Sequence, residues 1–415
     1  MNNWQLTKIK QQFRDNSLVN IKEEVAKELL KLRPIIIPGA NIAIAVGSRG
    51  IKNLVLVIKG VAAFIIENKA RPFIIPAMGS HGDATAEGQA EILEAYGISE
   101  KTVGAPVRSS MEVVELPQGD SPNPVFMDKH AYESDGVILI NRIKPHTDYH
   151  GKYESGLIKM SVIGLGKEKQ AMAIHRYGVH GLTVLIPLTA KQILSTGKIL
   201  GGIALVENAY DNTMIVNALK ANEFFEKEPV LLDIARRNMP ALPIDDIDVL
   251  IIDQMGKDIS GVGIDTNIIG RIKISGQPEP EKPDIKAIVL SDLTDASHGN
   301  AIGVGLSDVI TKKLFDKIDF PSTYTNAITS SFLERAKIPI VANNDKEAFK
   351  IALRSCGYLK EGKEKLIRIK DTLHLDEIYI SQSIFDLIKS SEGIECIKEN
   401  VNLFNNENEF LPFCQ

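Results

Sequence analysis

The stretch DGVILINRIKPHTDYHGKYESGLIKMSVIGLGKEKQAMAIH, Asp135–His175, decides how the chain is read. It opens with an apolar run rich in β-branched residues, Gly136 to Ile143, which predicts a buried strand. Lys144-Pro145 ends that strand, because proline has no amide hydrogen for a central ladder, and His146 is delivered to the loop beyond it. In open α/β sheets ligands bind at such strand ends. Lys159 follows in the small and apolar setting SGLIKMSVIGLG, and His175 ends a predicted short helix.

Upstream, the order of strand, glycine loop and helix stands twice. A strand over 41–46 stops at Gly47-Ser48-Arg49-Gly50 before a helix from about 52 to 68, and a second over 73–78 stops at Gly79-Ser80-His81-Gly82-Asp83. Thr85 then caps a helix that closes at Gly97, its hydroxyl accepting a first-turn amide. Downstream, 182–194 reads as a helix, 199–208 as a strand, and 213–238 as one or two helices broken near Pro229. Pro240, Pro243 and Asp245-Asp246 form a linker before a second series of strands near 248–253, 287–290, 338–342 and 366–369. This is α/β grammar. The expectation is two α/β domains with the active site in the cleft between them: 1–242, and 243–396, with a tail from about 397 to 415 free to pack back on the first.

At 415 residues the chain exceeds one ordinary core, which supports two domains. A net charge of -5 without a basic aromatic patch excludes a nucleic-acid partner. No uninterrupted apolar run spans a membrane, the first residues lack the apolar core of a secretion signal, and three cysteines without paired spacing form no disulfide framework. The expected compartment is the cytoplasm.

Taken together, Asp135–His175, the GSHGDATAEGQ run from Gly79 and the Asp253-Gln254-Met255-Gly256-Lys257 run resemble, in motif order, the nickel-pincer-nucleotide-dependent lactate racemase family and its relatives on other 2-hydroxy acids. The resemblance implies a cofactor, the pyridinium-3-thioamide-5-thiocarboxylic acid mononucleotide with Ni(II), tethered through Lys159, with His175 as the nickel ligand. It implies His81 and His146 as the acid/base pair, and Arg49, Lys257 and Gln254 as the residues that hold the substrate carboxylate and the cofactor. Beside the resemblance, Ser48 is a further candidate cofactor contact, and His298, from its glycine-containing loop, a candidate substrate contact. Enzymes that make the cofactor would then act upstream. Two departures stand out. Val46 occupies the place of a family aspartate, whose contact Ser48 or Asp83 would have to supply, and the segment between His146 and Lys159 is longer than the family's version.

The chemistry is consistent with these residue types. A carboxylate stabilises a neighbouring carbanion poorly, so inverting a 2-hydroxy acid favours hydride transfer through a planar keto acid, with one imidazole serving the alkoxide of each enantiomer. Histidine suits that work because its ordinary pKa of roughly 6.5 lies near neutrality, and an arginine can hold a carboxylate bidentately. Two other readings use the same residues: a zinc or iron hydrolase or lyase with His81, His146 and His175 as ligands, and a non-enzymatic binder of small carboxylates. His150 and His180 are read as structural.

Overall fold

The structure, a computed structural model, describes residues 4–48 and 50–413. The chain divides into two units, one spanning 14–239 and one that joins 1–13 to 240–415. The first strand, β1 (Gln5–Gln11), therefore belongs with the carboxyl-terminal unit.

In the unit 14–239, β2 (Asn41–Val46) and β3 (Arg71–Pro76) come first. An antiparallel pair, β4 (Val113–Leu116) and β5 (Val125–Asp128), stands apart from the main sheet. With β6 (Gly136–Arg142), β7 (Ile199–Glu207) and β8 (Thr213–Lys220), β2 and β3 form a five-stranded sheet of order β3-β2-β6-β7-β8. All pairings are parallel except that of β7 with β8. Parallel strands covered on both faces read as continuous apolar runs, and Gly136 to Ile140 is buried throughout. The helix Leu54–Glu67 packs Val57, Ile58, Val61 and Ile65 against Ile42, Ile44 and Ile138. Gly60 lets the helix Ile21–Leu29 approach, since a Cβ there would lie 2.8 Å from a Val25 methyl.

The expected helices over 213–238 need correction. Residues 213–220 form β8, with Val216, Ala218 and Leu219 buried against the sheet, and one helix, Phe224–Arg237, then runs through Pro229 unbroken. Proline removes the hydrogen bond to the carbonyl four residues earlier. That carbonyl, of Phe225, accepts the Tyr153 hydroxyl at 3.0 Å instead, and the helix survives.

The other unit is an eight-stranded sheet. It adds β9 (Asp246–Met255), β10 (Asp284–Leu293), β11 (Val309–Thr311), β12 (Ile340–Ala342), β13 (Leu366–Ile369), β14 (Glu377–Ile380) and β15 (Ile394–Asn402) in the order β12-β11-β10-β9-β13-β14-β1-β15. The first five in this order are parallel, and β14, β1 and β15 each pair antiparallel. Two domain boundaries are thereby corrected. Residues 1–13 leave the expected first domain, because Leu6 and Ile9 are buried in this sheet and Lys8 pairs with Glu377 at 2.8 Å. The tail does not return to the first domain: β15 completes the sheet beside β1, and Leu403 and Phe410 enter its core. No helix among the described residues is long and apolar enough to cross a membrane.

Ile9 is fully buried between β14 and β15. Ile9→Ala should cost about 2–4 kcal/mol. Hydrogen exchange should then rise in 377–402 and stay unchanged in 41–46; equal loss of protection in both would contradict the assignment of β1.

Candidate active site

Because β2, β3 and β6 are parallel, the loops that follow them leave the same edge of the sheet. After β2, the Ser48 hydroxyl contacts Nδ1 of His81, and the Ser48 carbonyl accepts the Tyr96 hydroxyl at 2.8 Å. Arg49 lies outside the described residues. After β3, Gly79 takes a φ of +62° and donates to the Gly164 carbonyl at 3.3 Å, laying the His81 loop against the segment that follows Lys159.

The loop after β6 closes on itself. Lys144 and Ser155 exchange backbone hydrogen bonds of 3.1 and 3.2 Å, and inside this closure sits the buried carboxylate of Glu154. It accepts the amides of His146 (2.6 Å) and Gly151 (2.9 Å) and Arg236 Nη2 (2.6 Å). Burial pushes the Glu154 pKa up, but hydrogen bonds from His150, His146, Gly151 and Arg236 outweigh it, and the net shift is down. The longer segment seen in the sequence is therefore a lobe built around one anion. His150 belongs to that structure, as expected, with Nδ1 at 3.5 Å from Glu154.

His146 Nδ1 accepts the Asp148 amide at 3.0 Å. Nε2 contacts the Lys159 amine. The ring of buried Tyr149 lies 4.6 Å from the His146 ring at 31°, and Lys159 Nζ stands 5.6 Å over the same Tyr149 ring.

Lys159 is carried on a short helical turn, Leu157–Lys159, that continues as a π-helical turn, Met160–Gly164. Such insertions are frequent at functional sites. The turn begins on a buried carboxylate: Glu228, from the helix Phe224–Arg237, accepts the Ile158 amide at 3.0 Å. Burial raises the Glu228 pKa to about 7, with the amides of Ile158 and Leu157 opposing, and its Oε1 has no partner among the described residues. His175 ends the helix Lys167–His175. Its pKa is lowered, first by burial and then by the charge of Lys159, with Asp148 opposing, so the imidazole is held neutral. His146, Lys159 and His175 thus share one neighbourhood, as their spacing at the strand end suggested.

In the other unit, Gln254 is the penultimate residue of β9, and Lys257 and His298 follow the carboxyl ends of the parallel strands β9 and β10. The Lys257 amide donates to Ser297 Oγ at 2.9 Å and its amine to the Gly261 carbonyl at 2.9 Å, while His298 adopts a φ of +47°. Sequence reading missed a pair at the end of β13: His374 Nδ1 lies 2.8 Å from both oxygens of buried Asp371, and the imidazole is otherwise exposed. It also missed the parts played by Glu228, Tyr149, Gln89 and Lys167; the last three fall inside the runs quoted above, but no local pattern marks what they touch. Among the described residues, no three His, Cys, Asp or Glu side chains form a metal-binding group.

Glu228 generates a pH test. Its folded pKa of about 7 exceeds the ordinary 4.5, so its contribution favours the folded state below pH 4.5 and is lost as pH rises toward 7, a change of roughly 3 kcal/mol. Urea unfolding of Glu228→Gln should match wild type near pH 5 and exceed it at pH 8; parallel pH profiles would contradict a buried, strained carboxylate.

The lactate racemase N-terminal domain family matches residues 31–182, the segment that holds Ser48, His81, His146, Lys159 and His175. No curated protein matches the chain. Among solved structures, the lactate racemase apoprotein from Thermoanaerobacterium thermosaccharolyticum is similar in fold at 12% identity, with a TM-score of 0.52 over 89% of this chain and 98% of that one. A protein from Thermotoga maritima is similar at 14% identity, covering 68% of this chain and 72% of that one, with a TM-score of 0.47. Both units have the α/β architecture expected from the sequence, and residues 31–182 are similar to the lactate racemase N-terminal domain family.

Proposed function

We propose that the chain is a racemase or epimerase that inverts the α-carbon of a 2-hydroxy acid, lactate or a relative, with a nickel-pincer nucleotide tethered to Lys159. The observation that carries this reading is the grouping of an amine, Lys159, with two imidazoles, His146 and His175. His146 touches the amine through Nε2, and His175 is kept neutral by burial and by the lysine's charge.

The residues present fit the group. A nickel ligand must be a neutral imidazole, and burial of His175, which lowers its pKa, favours that form. A cofactor that brings its own sulfur and carbon donors needs a single protein ligand, whereas the zinc or iron alternative needs several, and no such cluster stands among the described residues. Lys159 supplies a primary amine at the end of a helical turn anchored by Glu228. Bound there, the group would supply the hydride acceptor that the protein side chains lack.

The remaining work falls to the chain. His146, with Nδ1 occupied by the Asp148 amide, meets the site through Nε2 alone; a tethered Lys159 would no longer carry the ammonium that now faces that nitrogen, leaving Nε2 to the substrate oxygen. His81, oriented by Ser48 at Nδ1, presents its own Nε2 as the second acid/base. Arg49, Lys257 and Gln254, with His298, are proposed to hold the substrate carboxylate and the cofactor, and Ser48 the cofactor.

Racemisation followed from either enantiomer by chiral chromatography tests this. After co-expression with the cofactor-making enzymes, His81→Ala and His146→Ala should each lower kcat by about 10²–10⁴-fold, while His150→Ala changes it by less than about threefold. Equal activity of all three variants would contradict the assigned roles.

A further inference from the structure

Lys167 is the least expected residue in the first unit. Its side chain is fully buried, which lysine almost never is without a task, and its backbone takes a φ of +56°, a conformation that costs a residue with a side chain. Lys167 Nζ donates to the Pro76 carbonyl (2.5 Å) and to Gln89 Oε1 (3.0 Å), and it lies 3.2 Å from Asp128 Oδ2. Burial pulls its pKa below the usual lysine value, and Asp128 opposes this.

Its partners join separate parts of the site. Pro76 is the last residue of β3, at the root of the His81 loop. Gln89, also fully buried, turns its amide nitrogen to the carbonyls of Gly79 (2.9 Å) and His81 (3.2 Å), so the ammonium grips the oxygen of the amide whose nitrogen grips the loop. Asp128 ends β5, and its amide donates to the Leu165 carbonyl at 2.6 Å, just beyond the π-helical turn after Lys159. Along the chain, Lys167 begins the helix that ends in His175.

We propose that Lys167, acting through Gln89, is the positioning residue that sets the His81 loop in register with the segment bearing Lys159 and His175. Its charge does not touch substrate. It fixes one acid/base imidazole relative to the tethering amine and the nickel ligand, a relation on which hydride and proton transfer to the same small molecule depends, and where an error of about 1 Å can cost 10²-fold. This rests on the roles proposed above for those residues, but the geometry it asserts can be read without turnover.

The test uses full-length protein labelled with ¹⁵N-histidine, in which the eight histidine rings report separately and His81 is assigned with His81→Gln. In Gln89→Met the His81 ring signals should shift and broaden while those of His130 and His374 stay in place. In Lys167→Met both His81 and His175 should move. In the loaded enzyme, Gln89→Met should lower kcat by about tenfold or more, with KM changed by less than about threefold. Unmoved His81 signals in either variant would overturn the proposal, as would a uniform shift of all eight rings, which marks general loosening. If wild type racemises no 2-hydroxy acid, the functional reading fails while the ring signals still decide the positioning role.

Discussion

Parallel pairing of β6 with β2 on one side and β7 on the other is the constraint from which the first unit follows. Each strand is too apolar to face water, so both faces must be covered by helices, and each connection must cross over and begin again at the same end. Three successive loops then emerge on one edge. Pro145 makes the departure of the third abrupt, and the Lys144 to Ser155 closure keeps it from wandering. The chemistry-bearing residues gather because the sheet has one orientation.

What the sheet brings near, buried charge holds in place. Glu154 ties the His146 loop to Arg236, Glu228 caps the turn bearing Lys159, and Lys167 with Asp128 joins the β3 end to the segment beyond that turn. Each removes an ionisable group from water at a cost that ordinary packing would not carry, and each is offset by hydrogen bonds to backbone amides or carbonyls. Glu228 is the least compensated of these, with one oxygen unpartnered among the described residues, and its raised pKa expresses that. Buried ionic groups concentrated around one edge are what a site needing fixed geometry requires.

The strands and their loops were legible because β-branched runs, glycine loops and Pro145 are local signals. So were His81, His146, Lys159 and His175, which stand at strand or helix ends. The partners that orient them were not. Gln89 and Lys167 lie 78 residues apart and are identified only by burial and contact, and Glu228 looks like any acidic residue of an amphipathic helix. The failure over 213–220 has a similar origin: TMIVNALK fits either period, and only the antiparallel place beside β7 decides it. The strand β1 was missed because QLTKIKQ, with two lysines, gains its burial from β14 and β15, supplied by the far end of the chain.

The central claim is that Lys159 is the tether and His175 the metal ligand of one organometallic group. Peptide-mapped mass spectrometry with nickel analysis, on protein co-produced with the cofactor-making enzymes, reads this directly. The account predicts a nucleotide-sized adduct on the peptide containing Lys159, with nickel in equal proportion, and a His175→Ala protein that keeps the adduct but loses the metal. An unmodified Lys159 in nickel-replete, catalytically active protein would contradict it.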